Sequence, residues 1–233
     1  MSKPTPCAPW TALLGASFLL ALLPACDSNG GQAQQQTPPD APPPQEAPVN
    51  LAEMGYDEGD MEESVIWVVE FSDFGCVHCA RFHAETYPEI YQEFVAAGDV
   101  AWKYIPITIA GFPNAEEAAV TAHCAADQGR FAEMRDHLYE QREEWFGAQG
   151  ADGLFHRYAR DVGLDADDFA ACYAGDGARE RLSEGNRVAA QIGIQGTPTF
   201  IVQGFPVQGA PPLEQFREAL RGMVAEAREP GES

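Results

Sequence analysis

Residues 67–79, Trp-Val-Val-Glu-Phe-Ser-Asp-Phe-Gly-Cys-Val-His-Cys, carry a β-branched apolar stretch directly into a Cys-x-x-Cys pair. Val65–Phe71 is too continuously apolar for a strand with one wet face, so it is expected to be a central strand covered on both sides. Glu70 is its one acid, and burying a carboxylate there is costly unless it has a partner or a task. After Gly75 the pattern changes, and Cys79, Phe82, Thr86, Ile90 and Phe94 recur at helical spacing. Cys76 is therefore placed at or near the N-terminus of a helix that Pro88 interrupts and kinks. The spacing of Cys76 and Cys79 by itself fits metal binding, a structural disulfide or electron transfer.

The start of the chain narrows that choice. Residues 1–25 hold one cation, Lys3, ahead of an apolar run from Trp10 to Leu23. The run is too short to span a bilayer comfortably and reads as an export signal. Leu23-Pro24-Ala25-Cys26 resembles a bacterial lipobox, which makes Cys26 the residue to be lipidated. Residues 26–50 are rich in Gln, Pro, Ala and Gly and nearly free of large apolar side chains, so they are expected to be a disordered, lipid-anchored tether. The folded domain is expected over 51–227, with its first strong strand signal near Glu63, and 228–233 are expected to be a flexible tail. The chain is thereby placed in the bacterial periplasm or cell envelope. Loss of Lys3 with the signal leaves 13 cations against 36 acids, a formal charge of −23. A phosphate-neutralising groove needs clustered cations, so nucleic acid is excluded as a partner.

Within the domain, Val100, Trp102 and Tyr104 alternate and predict a second strand, Val100–Ile105. Residues 113–192 are helical in character, with Phe131, Met134, Leu138 and Tyr139 on one face. Gly196-Thr-Pro-Thr-Phe-Ile-Val-Gln-Gly-Phe-Pro-Val reads as two short strands about a turn at Gln203-Gly204. A final amphipathic helix uses Leu213, Phe216, Leu220 and Met223. The order is β-α-β, a helical block, then β-β-α. A Cys-x-x-Cys at the junction of strand and helix in an α/β scaffold is the setting in which the pair becomes redox-active. A helix N-terminus favours the Cys76 thiolate, and a protonated His78 adds a nearby donor or charge.

Val68-Val-Glu-Phe-Ser-Asp-Phe-Gly-Cys-Val-His-Cys, followed far downstream by Gly196-Thr-Pro-Thr-Phe with a helical insertion between, resembles the DsbA-type thiol:disulfide oxidoreductases of the thioredoxin superfamily. The resemblance implies a thioredoxin-like α/β fold, a mixed sheet flanked by helices. It implies Cys76 as exposed nucleophile, Cys79 as buried resolving thiol, and Pro198 as a cis proline facing the pair. Thr197 would offer its backbone to an extended substrate, and Glu70 would assist proton transfer at Cys79. No cofactor is implied beyond the cysteine pair. The implied partners are reduced or misoxidised exported polypeptides and a membrane redox partner of the DsbB or vitamin K epoxide reductase type. Val77 departs from the proline of the best-known oxidases and bears on the direction of electron flow. A disulfide reductase or isomerase is the nearest alternative.

Cys124 and Cys172 both lie in the helical block of an exported chain, which predicts a structural disulfide, with a second redox pair or two free thiols as alternatives. A zinc- or copper-binding reading rests on Cys76, Cys79 and His83 at i, i+3 and i+7, with His78 close by, but no distant ligand cluster completes it. His83, His123, His137 and His156 are otherwise expected to be partly exposed helix residues.

Overall fold

The computed structural model describes residues 49–229; the signal, nearly all of the tether, the Cys26 lipidation site and most of the tail lie outside the described residues. The sheet begins with β1 (Tyr56–Glu58), β2 (Ile66–Ser72) and β3 (Val100–Pro106), and closes with β4 (Thr199–Val202) and β5 (Phe205–Gln208), in the order β1-β3-β2-β4-β5. Only the β2–β3 pairing is parallel. The apolar run read from the sequence is thus the middle strand of a mixed sheet, and six of its seven residues are buried.

Between β2 and β3 lie α1 (Val77–Glu85), α2 (Tyr87–Ile90) and a wider π turn over Tyr91–Val95. The break comes at Thr86 because Pro88 cannot continue the ladder of α1 but suits the first turn of a new helix. The helical block holds α3 (Ala115–Ala126), α4 (Phe131–Glu140), α5 (Arg142–Trp145), α6 (Asp152–Asp161), α7 (Ala166–Ala174) and α8 (Gly177–Gln191), and α9 (Leu213–Arg228) ends the domain.

Alternation along β2 separates two cores. Ile66 and Val68 face Phe82, Ile90, Trp102, Phe200, Phe216 and Leu220, which come from α1, α2, α9 and the neighbouring strands. Val69 and Phe71 face the other way, onto Ile105, Val188 and Ile194. A third cluster fills the helical block around Met134, Leu138, Trp145 and Phe155, and it reaches Cys76 and Cys79.

The reading from sequence missed β1. This edge strand carries Asp57 and Glu58 in three residues and offers no apolar alternation to detect. Its carboxylates have a structural role, since Asp57 pairs with buried Lys103 and Glu58 with buried Arg135. The β4–β5 turn sits at Gln203 and Gly204 as expected, both with positive φ (48° and 86°), the geometry that joins two strands with the correct twist. Gln203 tolerates it because its side chain and backbone are bound to β2: Oε1 accepts from Trp67 N–H at 3.1 Å, and its own N–H donates to Trp67 O at 3.1 Å.

Cys124 and Cys172 form a disulfide that ties α3 to α7 across a sequence separation of 48, with Cα atoms 5.7 Å apart. Closing a loop of that length stabilises the fold by up to about 4 kcal/mol in the chain-entropy description. Converting both residues to alanine is expected to lower the unfolding free energy by about 2–4 kcal/mol in urea titrations. An unchanged midpoint would show that the bridge does not constrain the unfolded chain.

Candidate active site

The site is assembled where β2 ends and α1 begins. Ser72 through Cys76 are all buried, and the chain turns sharply there: Cys76 N–H donates to Asp73 O at 3.0 Å, and Gly75 N–H donates to Asp73 Oδ1 at 2.8 Å. Gly75 has no room for a side chain, because a Cβ would stand 2.4 Å from Phe112 Cβ. Arg142, at the start of α5, donates Nε–H to Gly75 O at 3.1 Å while its guanidinium lies 4.2 Å from the Phe146 ring centroid. Phe112, from the loop before α3, and Arg142 therefore clamp the active-site turn. Neither residue was distinguishable in the sequence, because both act across a long chain separation.

Cys76 stands at the N-cap of α1, and its Sγ lies 3.3 Å from Thr197 O, to which the protonated thiol donates. It is only 4% accessible. The expected exposed nucleophile is thus corrected to a covered one, with the Thr197 carbonyl lying against the sulfur. The Thr197–Pro198 peptide is cis and Pro198 is buried. Gly209 N–H donates to Pro198 O at 2.8 Å and holds this segment to the end of β5. Val77 and the His78 side chain are exposed, and His78 reaches Cys76 through its backbone N–H.

The two thiols are driven apart electrostatically. A hydrogen bond from the Cys79 thiol pulls Cys76 down to about 5, outweighing burial with help from the Thr197 side chain and the backbone N–H groups of Cys79 and His78. Burial pushes Cys79 well above the ordinary thiol range, and the neighbouring Cys76 sulfur reinforces this. One sulfur is a stable anion at neutral pH, and the other holds its proton. Asp73 stands beside them. Burial and the Cys76 charge raise its carboxyl to about 7, against the Gly75 N–H and Arg142. Its Oδ2 has no hydrogen-bond partner among the described residues.

Glu70 is fully buried with both oxygens engaged: Oε1 with His83 Nε2 at 2.9 Å, and Oε2 accepting Trp102 Nε1–H at 3.0 Å. Burial alone would raise its pKa, but the His83 charge and hydrogen bond prevail and hold the carboxyl below the ordinary range. Glu70 and Ser72 share one face of β2. The Ser72 hydroxyl bonds Tyr139 OH at 3.1 Å and Tyr139 bonds Tyr104 OH at 2.6 Å, so buried polar groups continue along the face of β2 that carries Glu70.

His83 and His123 are buried at 7% and 3% accessibility, which corrects the expectation of partly exposed residues. His83 follows Cys79 by four residues, so both lie on one face of α1 and turn inward together. That spacing was visible in the sequence, but the partner that makes burial tolerable, Glu70, lies on another element. The His83 Nε2 is engaged by this carboxylate. Among the described residues, no group of three or more His, Cys, Asp or Glu side chains is placed to hold a metal ion, and no helix is long and apolar enough to cross a membrane.

Residues 59–221 match the family model described as thioredoxin. Na(+)/H(+) antiporter NhaA 3 of Salinispora tropica is 32% identical over 71% of this chain, and the match covers 24% of that protein. The chain thus spans about a quarter of the length of the first curated relatives it matches. A Rickettsia felis protein named as a candidate protein-disulfide oxidoreductase is 26% identical over 79% of this chain and 67% of its own length. The solved structure of Chlamydia trachomatis DsbA superposes with a TM-score of 0.67 and 18% identity, covering 81% of this chain and 100% of that one. The strand that delivers Cys76, the helix that it caps and the proline segment that covers it all fall inside the matched residues, and this chain belongs to the thioredoxin family, with the DsbA form of its fold.

Proposed function

We propose that this chain is a protein-disulfide oxidoreductase that works as a dithiol oxidase, donating the Cys76–Cys79 disulfide to exported polypeptides. The observation that carries this reading is the opposed behaviour of the two sulfurs, with Cys76 pulled down to about 5 and Cys79 pushed up. At pH 7 a thiol lowered from 9 to about 5 stabilises the reduced form by about 3 kcal/mol. That raises the two-electron potential by roughly 60 mV over a pair with ordinary thiols. A reduced pair that is stabilised in this way accepts electrons readily and so oxidises its substrates.

In the forward reaction a substrate thiolate attacks Cys76 Sγ, and a substrate–Cys76 disulfide forms as the Cys76–Cys79 bond breaks. The bonding pair leaves on Cys79. A second substrate thiolate then attacks the substrate sulfur and releases Cys76 as its stable thiolate. Pro198 and Thr197 cover the sulfur and present backbone where an extended substrate strand would lie. The pair needs no metal or organic cofactor. The amino-terminal signal and lipidation at Cys26 would hold the enzyme at the cell envelope, and a membrane protein of the DsbB or vitamin K epoxide reductase type would reoxidise it.

The test is the reduction potential of the Cys76–Cys79 pair, measured against glutathione. A strongly oxidising value supports the oxidase. A strongly reducing value overturns it in favour of a reductase. Tight stoichiometric copper(I) binding with no thiol exchange would replace both with metal delivery.

A further inference from the structure

Beside α1 is a cleft of about 610 Å³ lined by His83, Tyr87, Arg135, Tyr139 and Glu58. His83 Nε2 is bound to Glu70 Oε1, and its Nδ1 is buried with no hydrogen-bond partner among the described residues. A histidine that serves only to neutralise a buried acid is normally fixed at its second nitrogen as well. Here the ring has one nitrogen committed to the acid and the other left uncommitted at a cleft wall.

We propose that His83 relays protons between solvent in this cleft and the Glu70 carboxylate, and through Glu70 to Cys79. The proposal rests on the thiol–disulfide chemistry set out above and deepens it. When substrate sulfur bonds to Cys76 Sγ and the Cys76–Cys79 bond breaks, Cys79 departs with the electron pair as a thiolate sealed from water. It takes a proton from the Glu70–His83 pair, and the pair regains one from the cleft at His83 Nδ1. No electrons move in the relay, and the sulfur exchange is balanced by one bond formed and one broken. In the reverse direction the same path removes the Cys79 proton.

The surroundings of the ring suit a guided path. Tyr139 stacks on it with centroids 4.8 Å apart, Tyr87 lies at 4.9 Å and Tyr104 at 5.6 Å, so its orientation is fixed from α4, α2 and β3. The charged groups around it are Glu70 on β2, Glu58 on β1, and Arg135, Asp136 and Glu140 on α4. Arg135 is committed to Glu58 and Asp136, which leaves His83 as the group that joins the cleft to the buried acid.

The experiment uses the full-length oxidised protein and follows its exchange with glutathione from pH 5 to 9. His83→Gln can retain an N–H toward Glu70 but cannot pass a proton through a ring. It is expected to slow exchange about 100-fold and flatten the pH profile, the scale of general acid–base assistance, while the equilibrium constant with glutathione moves no more than a few-fold. In His83→Ala, added imidazole entering the cleft is expected to restore the rate in a saturable way. A wild-type rate and pH profile in His83→Gln overturns the relay, as does a slowed rate matched by a shifted equilibrium, or imidazole without effect on folded His83→Ala. A wild-type protein that exchanges with no thiol at all would instead overturn the thiol–disulfide reading, and the relay with it.

Discussion

Cys76→Ser is expected to reduce oxidation of a reduced test protein to the uncatalysed background, whereas Cys79→Ser, given a disulfide-bonded test peptide, is expected to attack it through Cys76, release one half as a thiolate and stall with the other half joined to Cys76. The asymmetry follows from the geometry. Cys76 caps α1, is held near pKa 5 and lies against the Thr197–Pro198 segment where substrate is proposed to pair. A serine oxygen there can neither form the mixed disulfide nor leave as a stable anion at neutral pH. Cys79 is fully buried, so its proposed part is to resolve what Cys76 begins. Mass spectrometry of the intact protein under non-reducing conditions, after incubation with the disulfide-bonded peptide, reads the second outcome: no adduct for Cys76→Ser, and one peptide half per chain for Cys79→Ser. Oxidation at the wild-type rate by Cys76→Ser would show that the cysteine pair has been assigned to the wrong chemistry.

The second large effect concerns stability. Glu70→Ala is expected to cost about 3–5 kcal/mol, because it leaves the His83 and Trp102 donors buried and unpaired. Glu70→Gln should cost less, since it keeps an acceptor for one of them. The pH dependence carries a sign that can be checked. The folded carboxyl of Glu70 lies below 4.5, so its contribution is present above pH 4.5 and is lost as pH falls through the folded value. Asp73 behaves oppositely. Its carboxyl is raised from 3.8 to about 7, so its contribution is full below pH 3.8 and is lost as pH rises toward 7. Between those values the native state holds one proton more than the unfolded chain. Relative to Asp73→Asn, the reduced wild-type protein should therefore lose about 1.4 kcal/mol of stability per pH unit. Urea unfolding of the reduced protein at a series of pH values measures both trends, and parallel curves for wild type and Asp73→Asn would show that this carboxyl does not titrate with folding.

Much of the site could be read from the chain before any fold was known. An apolar run with a single acid, ending in Cys-x-x-Cys and then helical spacing, determined a buried central strand, Cys76 at a helix start and Glu70 in the interior. Those are local patterns, and periodicity reports them directly. Pro198 and the Cys124–Cys172 pairing were legible only with added context, from a resemblance in the first case and an exported compartment in the second.

Only the tertiary structure decided the rest. Glu58 and Asp57 look like surface acids in sequence, but they balance Arg135 and Lys103 because β1 pairs with β3. Arg135 lies among Met134, Leu138 and Tyr139; its own helix supplies only the exposed carboxylate of Asp136, and the second counter-charge comes from Glu58 on β1. Phe112, from the loop before α3, and Arg142, from α5, clamp Gly75, and His83 becomes the buried partner of Glu70 rather than a partly exposed residue. The physical reason is common to all of them. A strand or helix announces itself through neighbours a few residues away, whereas a buried charge is tolerated only through a partner that the fold brings from elsewhere. The sequence therefore determined which elements carry the cysteine pair, because strand and helix periodicity are local, and the tertiary structure decided which buried groups surround it, because those partners come from distant elements.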